Sequence, residues 1–209
     1  MTRDPLPDKL KRIDDPAVAP LNSLVRGWRA AHETTSIPWF DPDDGGVHAR
    51  LLILMESPAT RTVASAGSGF CSMDNADGTN RLLASLVAKA GISRAQCIKW
   101  NTVPWALTDE DGRPRAARRA DINAGAEHVR EVLTLTTELD IVLTLGNAAL
   151  AGFMLAVTAE TPAQLYRVLA APHPSQRNAG SRSTSLRRIE NALSAISMEF
   201  RSARSRRSY

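Results

Sequence analysis

The most constraining stretch of the 209-residue chain is Arg50–Thr60, RLLILMESPAT. Leu51, Leu52, Ile53, Leu54 and Met55 form an apolar run with no polar alternation. A run that short and continuous fits a strand covered on both faces, as in a parallel sheet. Pro58 has no amide proton to give to a ladder, so the strand must end at Glu56-Ser57-Pro58. The sequence thus presents a carboxylate at the carboxyl end of a buried strand, where open α/β sheets hold their ligands.

The rest of the chain supplies partners for that strand. Cys97–Val103 (CIKWNTV) and Asp140–Leu145 read as strands stopped by Pro104 and by Gly146-Asn147. Tyr166–Ala171 reads as a fourth strand running into Pro172-His173-Pro174-Ser175. Helical spacing of apolar residues predicts helices over Leu21–His32, Asn80–Ala90, Asp121–Leu139, Asn147–Val157 and about Ser185–Phe200. Thr79 is the expected N-cap of the second of these, and Asn147 that of the fourth. Alternation of strand and helix predicts an α/β fold, three layers α/β/α around a four-stranded parallel sheet. Glu56, Asn101, Asn147 and His173 then converge at or just beyond the strand carboxyl ends.

Pro5, Pro7, Pro16 and Pro20 among charges make residues 1–20 read as an extended arm without a core. Residues 21–200 read as one folded domain, and RSARSRRSY at 201–209 as a basic tail. The segment Thr60–Thr79 is long, polar and aperiodic, the kind of loop that is usually functional. Met1–Lys11 has no apolar stretch of a signal peptide and no run reaches a membrane span, so a cytoplasmic protein is expected.

Several chemistries are disfavoured. Cys71 and Cys97 are the only cysteines, too few for a four-cysteine iron–sulfur or zinc site. His32, His48, His128 and His173 share no metal-ligand spacing. No Gly-x-Gly-x-x-Gly follows a strand and no phosphate loop with its Lys is present. Gly67-Ser68-Gly69 lies in a loop and not at a strand-to-helix elbow. No metal or other cofactor is expected. A net charge of +4 is weak evidence for nucleic acid, but Arg dominates the last forty residues while Asp crowds the first fifty.

The motifs resemble those of the uracil-DNA glycosylase superfamily. LILMESPA resembles the strand that ends in the family's Gly-polar-x-Pro motif, WNTVPW the strand whose Asn reads the base, LTLGNAA the third strand, and APHPSQRN the His-Pro-Ser loop. The resemblance covers about Leu51–Asn178. It implies DNA containing uracil or an abasic site as partner, a monomer, and removal of uracil by cleavage of its N-glycosidic bond. It implies Phe70 as the stacking aromatic, Asn101 as the reader of the uracil edge, and His173 as donor to the developing oxyanion. Met55 would border the base. Glu56 or Ser57 would manage the water. Pro58, Ser175, Gln176 and Arg177 would touch DNA, with Ser57 and Ser175 gripping phosphates and Arg113 and Arg115 as further phosphate contacts.

Two departures stand out. Met55 occupies the place of the family's Gly, and Ser57 that of an Asp that activates water in one branch. Glu56 matches a branch that carries an iron–sulfur cluster, which two cysteines cannot ligate. The chain reads as a divergent, cluster-free member. Two other readings stay open: a protein that binds uracil or abasic sites without turnover, and an unrelated α/β hydrolase of nucleosides.

Overall fold

A computed structural model describes residues 6–159, 165–174 and 182–206. In chain order these form helix α1 (Leu6–Leu10), α2 (Ala19–Ala31), strand β1 (Trp39–Phe40), a 3-10 turn (Gly46–His48) and β2 (Leu51–Met55). There follow α3 (Thr60–Val63), β3 (Phe70–Cys71), α4 (Gly78–Lys89), β4 (Cys97–Asn101), α5 (Arg119–Leu135), β5 (Ile141–Leu145), α6 (Asn147–Thr158), β6 (Arg167–Ala171) and α7 (Arg182–Arg206). The four expected long strands form one parallel sheet in the order β4-β2-β5-β6. Strands β1 and β3 pair separately, also in parallel.

Every residue of β2, β4 and β5 is buried, which explains why β2 shows no polar alternation. Period-2 geometry divides the side chains between two cores. Leu52, Leu54, Ile98, Trp100 and Val142 face α2, α5 and α6, packing on Val25, Trp28, Val129, Val132 and Phe153. Leu51, Ile53, Met55, Cys97, Leu143 and Leu145 face α4 and α7, packing on Leu83, Val87, Ile189, Leu193 and Ile196. Each fully buried aliphatic side chain contributes about 1.5–3 kcal/mol. Phe40 stacks on Trp100 with ring centroids 3.7 Å apart, adding roughly 0.5–1.5 kcal/mol.

The order of strands places the crevice. From β2 the chain reaches β4 through α4, on one face of the sheet. From β4 it reaches β5, on the other side of β2, through α5 on the opposite face. Connections that leave in opposite directions open a crevice at the carboxyl ends of β2 and its neighbours. Helix α5 lies close to that edge because Gly125 has no side chain: a Cβ there would sit 2.2 Å from the Thr102 carbonyl oxygen, just after β4.

The structure corrects several sequence expectations. The described part of 1–20 is not an extended arm: α1 begins at Leu6, and Val18 is fully buried against the core. The charge pattern explains the docking. Lys9 is buried and its Nζ lies 2.7 Å from both Asp41 and Asp74 and 3.1 Å from Asp43. Arg94 reaches Asp41 at 2.7 Å and Asp44 at 2.9 Å. Burial opposes the Lys9 ammonium, but Asp41 and Asp74 outweigh it and raise its pKa. At the other end, residues 201–206 continue α7, so this part of the tail is helical. The first long strand starts at Leu51, directly after the 3-10 turn Gly46–His48. Asp77, not Thr79, caps α4, its carboxylate accepting from the Asn80 amide at 2.9 Å. Among the described residues no helix is long and apolar enough to cross a membrane.

The loop after β4 is clasped to the helices by a histidine pair. Trp105 packs on His32 with centroids 4.9 Å apart, and His32 Nε2 lies 3.4 Å from His128 Nε2. His128 Nδ1 faces the Ala124 carbonyl at 3.2 Å, so Nδ1 carries the proton and donates. Burial lowers the His128 pKa below the ordinary imidazole value.

Two outcomes follow from this packing. Lys9→Met leaves Asp41 buried beside one fewer cation and is expected to cost about 3 kcal/mol, read as a lower denaturant midpoint at unchanged slope. A folded-state imidazole pKa below its unfolded value gives stability that is present above the unfolded value, 6.5, and lost as pH falls through the lower folded one. Thermal melts should therefore drop as pH is lowered below 6.5, and His128→Asn should flatten that drop.

Candidate active site

The crevice at the carboxyl edge holds a cleft of about 200 Å³. That is below the roughly 300–1,000 Å³ of sites for drug-sized ligands, and suits a single small ring. Its walls come from several segments. The end of β2 and the turn after it give Met55, Ser57 and Pro58; β4 gives Lys99 and Asn101; the loop after β4 gives Leu107 and Arg115; the turn after β6 gives His173. Asn75, Asp77 and Asn80 close it from the segment leading into α4.

The sheet register brings these groups together. Met55 pairs opposite Asn101 at the last position of β2 and β4, and Leu145 pairs opposite Ala171 on β5 and β6. The turn after β2 is pinned to the turn after β4: the Thr102 amide donates to the Met55 carbonyl at 2.8 Å and the Val103 amide to the Glu56 carbonyl at 2.9 Å. The turn after β5 is pinned to the end of β6 by the Gly146 amide, which donates to the Ala171 carbonyl at 2.9 Å. Gly146 has φ of +101° and sits against His173: a Cβ on residue 146 would lie 3.4 Å from the His173 Cβ. Gly146, and not Asn147, is the residue before the first turn of α6, and no side chain caps that helix.

Electrostatics tune the histidine. Burial lowers the His173 pKa, with Glu56 opposing and Lys99 adding to the shift. The imidazole is therefore neutral at neutral pH and carries a single N–H. Asn101 is buried; its Nδ2 donates to the Cys71 thiol at 3.3 Å, which fixes the amide plane. Cys71 itself is held as the thiol, its pKa raised by burial.

The structure places the other candidates as follows. Ser57 and Pro58 line the cleft; Glu56 does not border it. The Glu56 Oε1 instead accepts from the Ala117 amide at 2.6 Å, tying the turn after β2 to the segment before α5. Phe70 is fully buried and lies in the wall of a neighbouring cavity together with Ser68 and Ser72, outside the cleft that holds Asn101 and His173. Arg115 reaches the cleft, but its guanidinium is committed: it grips Asp121 at 2.6 and 2.9 Å and donates to the Thr108 carbonyl at 2.9 Å. The same grip holds the Asp121 carboxyl down at about 2. Arg113 is exposed on the loop and pairs with Asp111 at 3.1 Å. Both arginines thus hold the loop's shape, Arg113 doing so from a largely exposed position. Ser175, Gln176 and Arg177 lie outside the described residues.

Sequence reasoning passed over Lys99, Asp77 and Asn80. Lys99 carried a signal: a lysine inside a five-residue buried strand, two positions before Asn101 and so on the same face. Asp41, Asp43 and Asp74 are close enough to hold a metal ion, but Lys9 already bridges all three.

Gly146→Ala forces a side chain into a left-handed conformation at the turn that abuts His173. It is expected to cost about 1–2 kcal/mol of stability, measured by denaturant unfolding, and to displace the histidine.

A family model described as the uracil DNA glycosylase superfamily matches residues 42–196, from before β2 into α7. A search of curated protein sequences found no match. Among solved structures, SMUG2 from Pedobacter heparinus superposes with a TM-score of 0.51 at 16% identity, covering 71% of this chain and 76% of that one. At that identity the likeness speaks for the fold. The family match takes in more than half of the chain and all four strands that build the cleft, and on it the chain belongs to the uracil DNA glycosylase superfamily.

Proposed function

We propose that this protein is a monofunctional DNA glycosylase that flips uracil out of DNA and hydrolyses its N-glycosidic bond, leaving an abasic site. The observation that carries this reading is the convergence of Asn101, His173, Ser57 and Pro58 on one small cleft at the carboxyl edge of the sheet.

The reaction asks three things of a protein: a pocket for the flipped base, a reader for its edge, and stabilisation of the charges that form. The base must leave the stack and enter a pocket of its own size, at a cost of a few kcal/mol repaid by contacts there. An amide side chain offers a donor and an acceptor together, and Asn101 at the floor of the cleft suits the donor–acceptor edge of uracil. Phe70 lines the adjoining cavity, which shares Thr62, Asn75 and Asp77 with the cleft, and Met55 lines the cleft itself.

Cleavage sends the electron pair of the N1–C1′ bond onto the base and leaves cationic character on the sugar. Water adds at C1′, and its proton is lost to solvent. A neutral His173, held below the ordinary imidazole value by burial, can donate its N–H to the base oxygen on which negative charge grows. Glu56 is held 2.6 Å from the Ala117 amide outside the cleft wall, from where its charge reaches His173 and offsets the sugar cation. Ser57, one of the hydroxyls that line the cleft, orients the water on this reading. DNA would be held through its phosphates, with Ser175, Gln176 and Arg177 as the contacts expected from the sequence.

The test is excision from matched uracil-containing oligonucleotides, read as alkali-labile sites. Wild type should cleave; His173→Ala should lose about 10²–10³-fold in single-turnover rate, as for removal of an oxyanion donor. Ser57→Ala should lose more than Glu56→Gln. Tight binding to uracil-containing or abasic DNA with no release of uracil would replace this reading with that of a damage-binding protein, and release from free deoxyuridine alone would point to a nucleosidase.

A further inference from the structure

The cleft contains a cation that the chemistry above does not use. Lys99 is 5% exposed and lines the cleft, one pleat deeper along β4 than Asn101. Its hydrogen bond in the structure is to the Cys71 thiol, at a long 3.7 Å. Among the described residues no carboxylate lies within ion-pair distance of it, whereas the other buried lysine, Lys9, has three. Buried charges are ordinarily paired, because an uncompensated one carries a large desolvation cost. Asp44 and Asp77 act on Lys99 only from beyond ion-pair distance, which leaves its ammonium free to meet an anion in the cleft.

A second orphan stands beside it. Asn80 is 8% exposed and also lines the cleft. Its Nδ2 donates to Asp77 Oδ2 at 2.7 Å, and a carboxylate can only accept, so the amide orientation is fixed. That leaves Asn80 Oδ1 buried with no partner among the described residues. The cleft thus offers a positively charged donor and a free acceptor. A ring bearing adjacent carbonyl and N–H groups and a negative charge complements both.

We propose that Lys99 and Asn80 make the floor of the cleft a binding site for the anionic, imide-bearing pyrimidine that departs in the reaction. Lys99 is a specificity-determining group for acidic leaving bases. This rests on the glycosylase reading for its substrate class. When the N1–C1′ bond breaks, both electrons go to N1 and spread onto the ring carbonyl oxygens, while C1′ receives the hydroxyl of water. The Lys99 ammonium interacts with a carbonyl oxygen of that anion, and the single ring N–H is shared between the Asn101 and Asn80 amide oxygens. The negative charge grows as the bond breaks, so the contact is stronger in the transition state than before it.

The proposal is tested without DNA, on the full chain, by equilibrium binding of 5-nitrouracil at a pH where its ring is ionised, compared with neutral uracil. Wild type should prefer the anion by about tenfold or more, a difference of about 1.4 kcal/mol. Lys99→Met and Lys99→Gln should abolish that preference, and Lys99→Arg should retain it; matching thermal melts show that the variants fold. Lack of any preference in the wild type, or an unchanged preference in both neutral variants, overturns the proposal. Lys99-dependent preference for the anion in a protein that releases no uracil from DNA would leave this site standing and remove the glycosylase reading instead.

Discussion

The pairing of β2 with β4 is the constraint on which the site depends. Met55 and Asn101 sit opposite each other at the last rung, and the next two amides of one turn donate to the last two carbonyls of the other. A parallel pair of this kind is stable only when both faces are covered, which here requires the α2/α5/α6 layer and the α4/α7 layer together. Once the two strands are locked in register, the turns that follow them have no freedom to diverge. Ser57, Asn101 and the segment that accepts Glu56 are therefore presented as one rigid rim.

Chemistry at that rim is governed by burial more than by charge count. His173 is kept neutral because it is desolvated, Cys71 is kept as the thiol for the same reason, and the Asn101 amide is fixed by donating to that thiol. Polar groups in such surroundings act strongly on whatever enters, since no water competes for them. The charged network of Lys9, Arg94, Asp41 and Asp74 does a different job. It ties the N-terminal segment to the loop that leads into α4, whose Asn75 and Asp77 line the cleft.

Much of this is legible in the sequence, for identifiable reasons. The apolar run before Pro58 and the short runs stopped by Pro104 and Gly146 locate the strands, although β4 carries Lys99 and Asn101 within it. The positions of Asn101 and His173 follow from those ends. Other features depend on tertiary contacts that no local pattern records. The first twenty residues look unfoldable by composition, yet a buried Lys9 among three aspartates docks their described part, residues 6–20. Glu56 reads as a cleft residue, but the Ala117 amide, sixty-one positions away, draws its side chain to the outer wall. Arg115 reads as a phosphate ligand, and Asp121, six residues on, claims it. Motif alone puts Phe70 over the base, whereas its strand pairing with Trp39 buries the ring behind the cleft.

The account is tested most directly by a crystal structure of the protein with a duplex carrying a uracil nucleotide whose glycosidic bond resists hydrolysis. It predicts an extrahelical uracil in the cleft, with its polar edge within hydrogen-bond reach of Asn101 and a ring oxygen within reach of His173. A uracil still stacked in the duplex, or seated away from both residues, would contradict it.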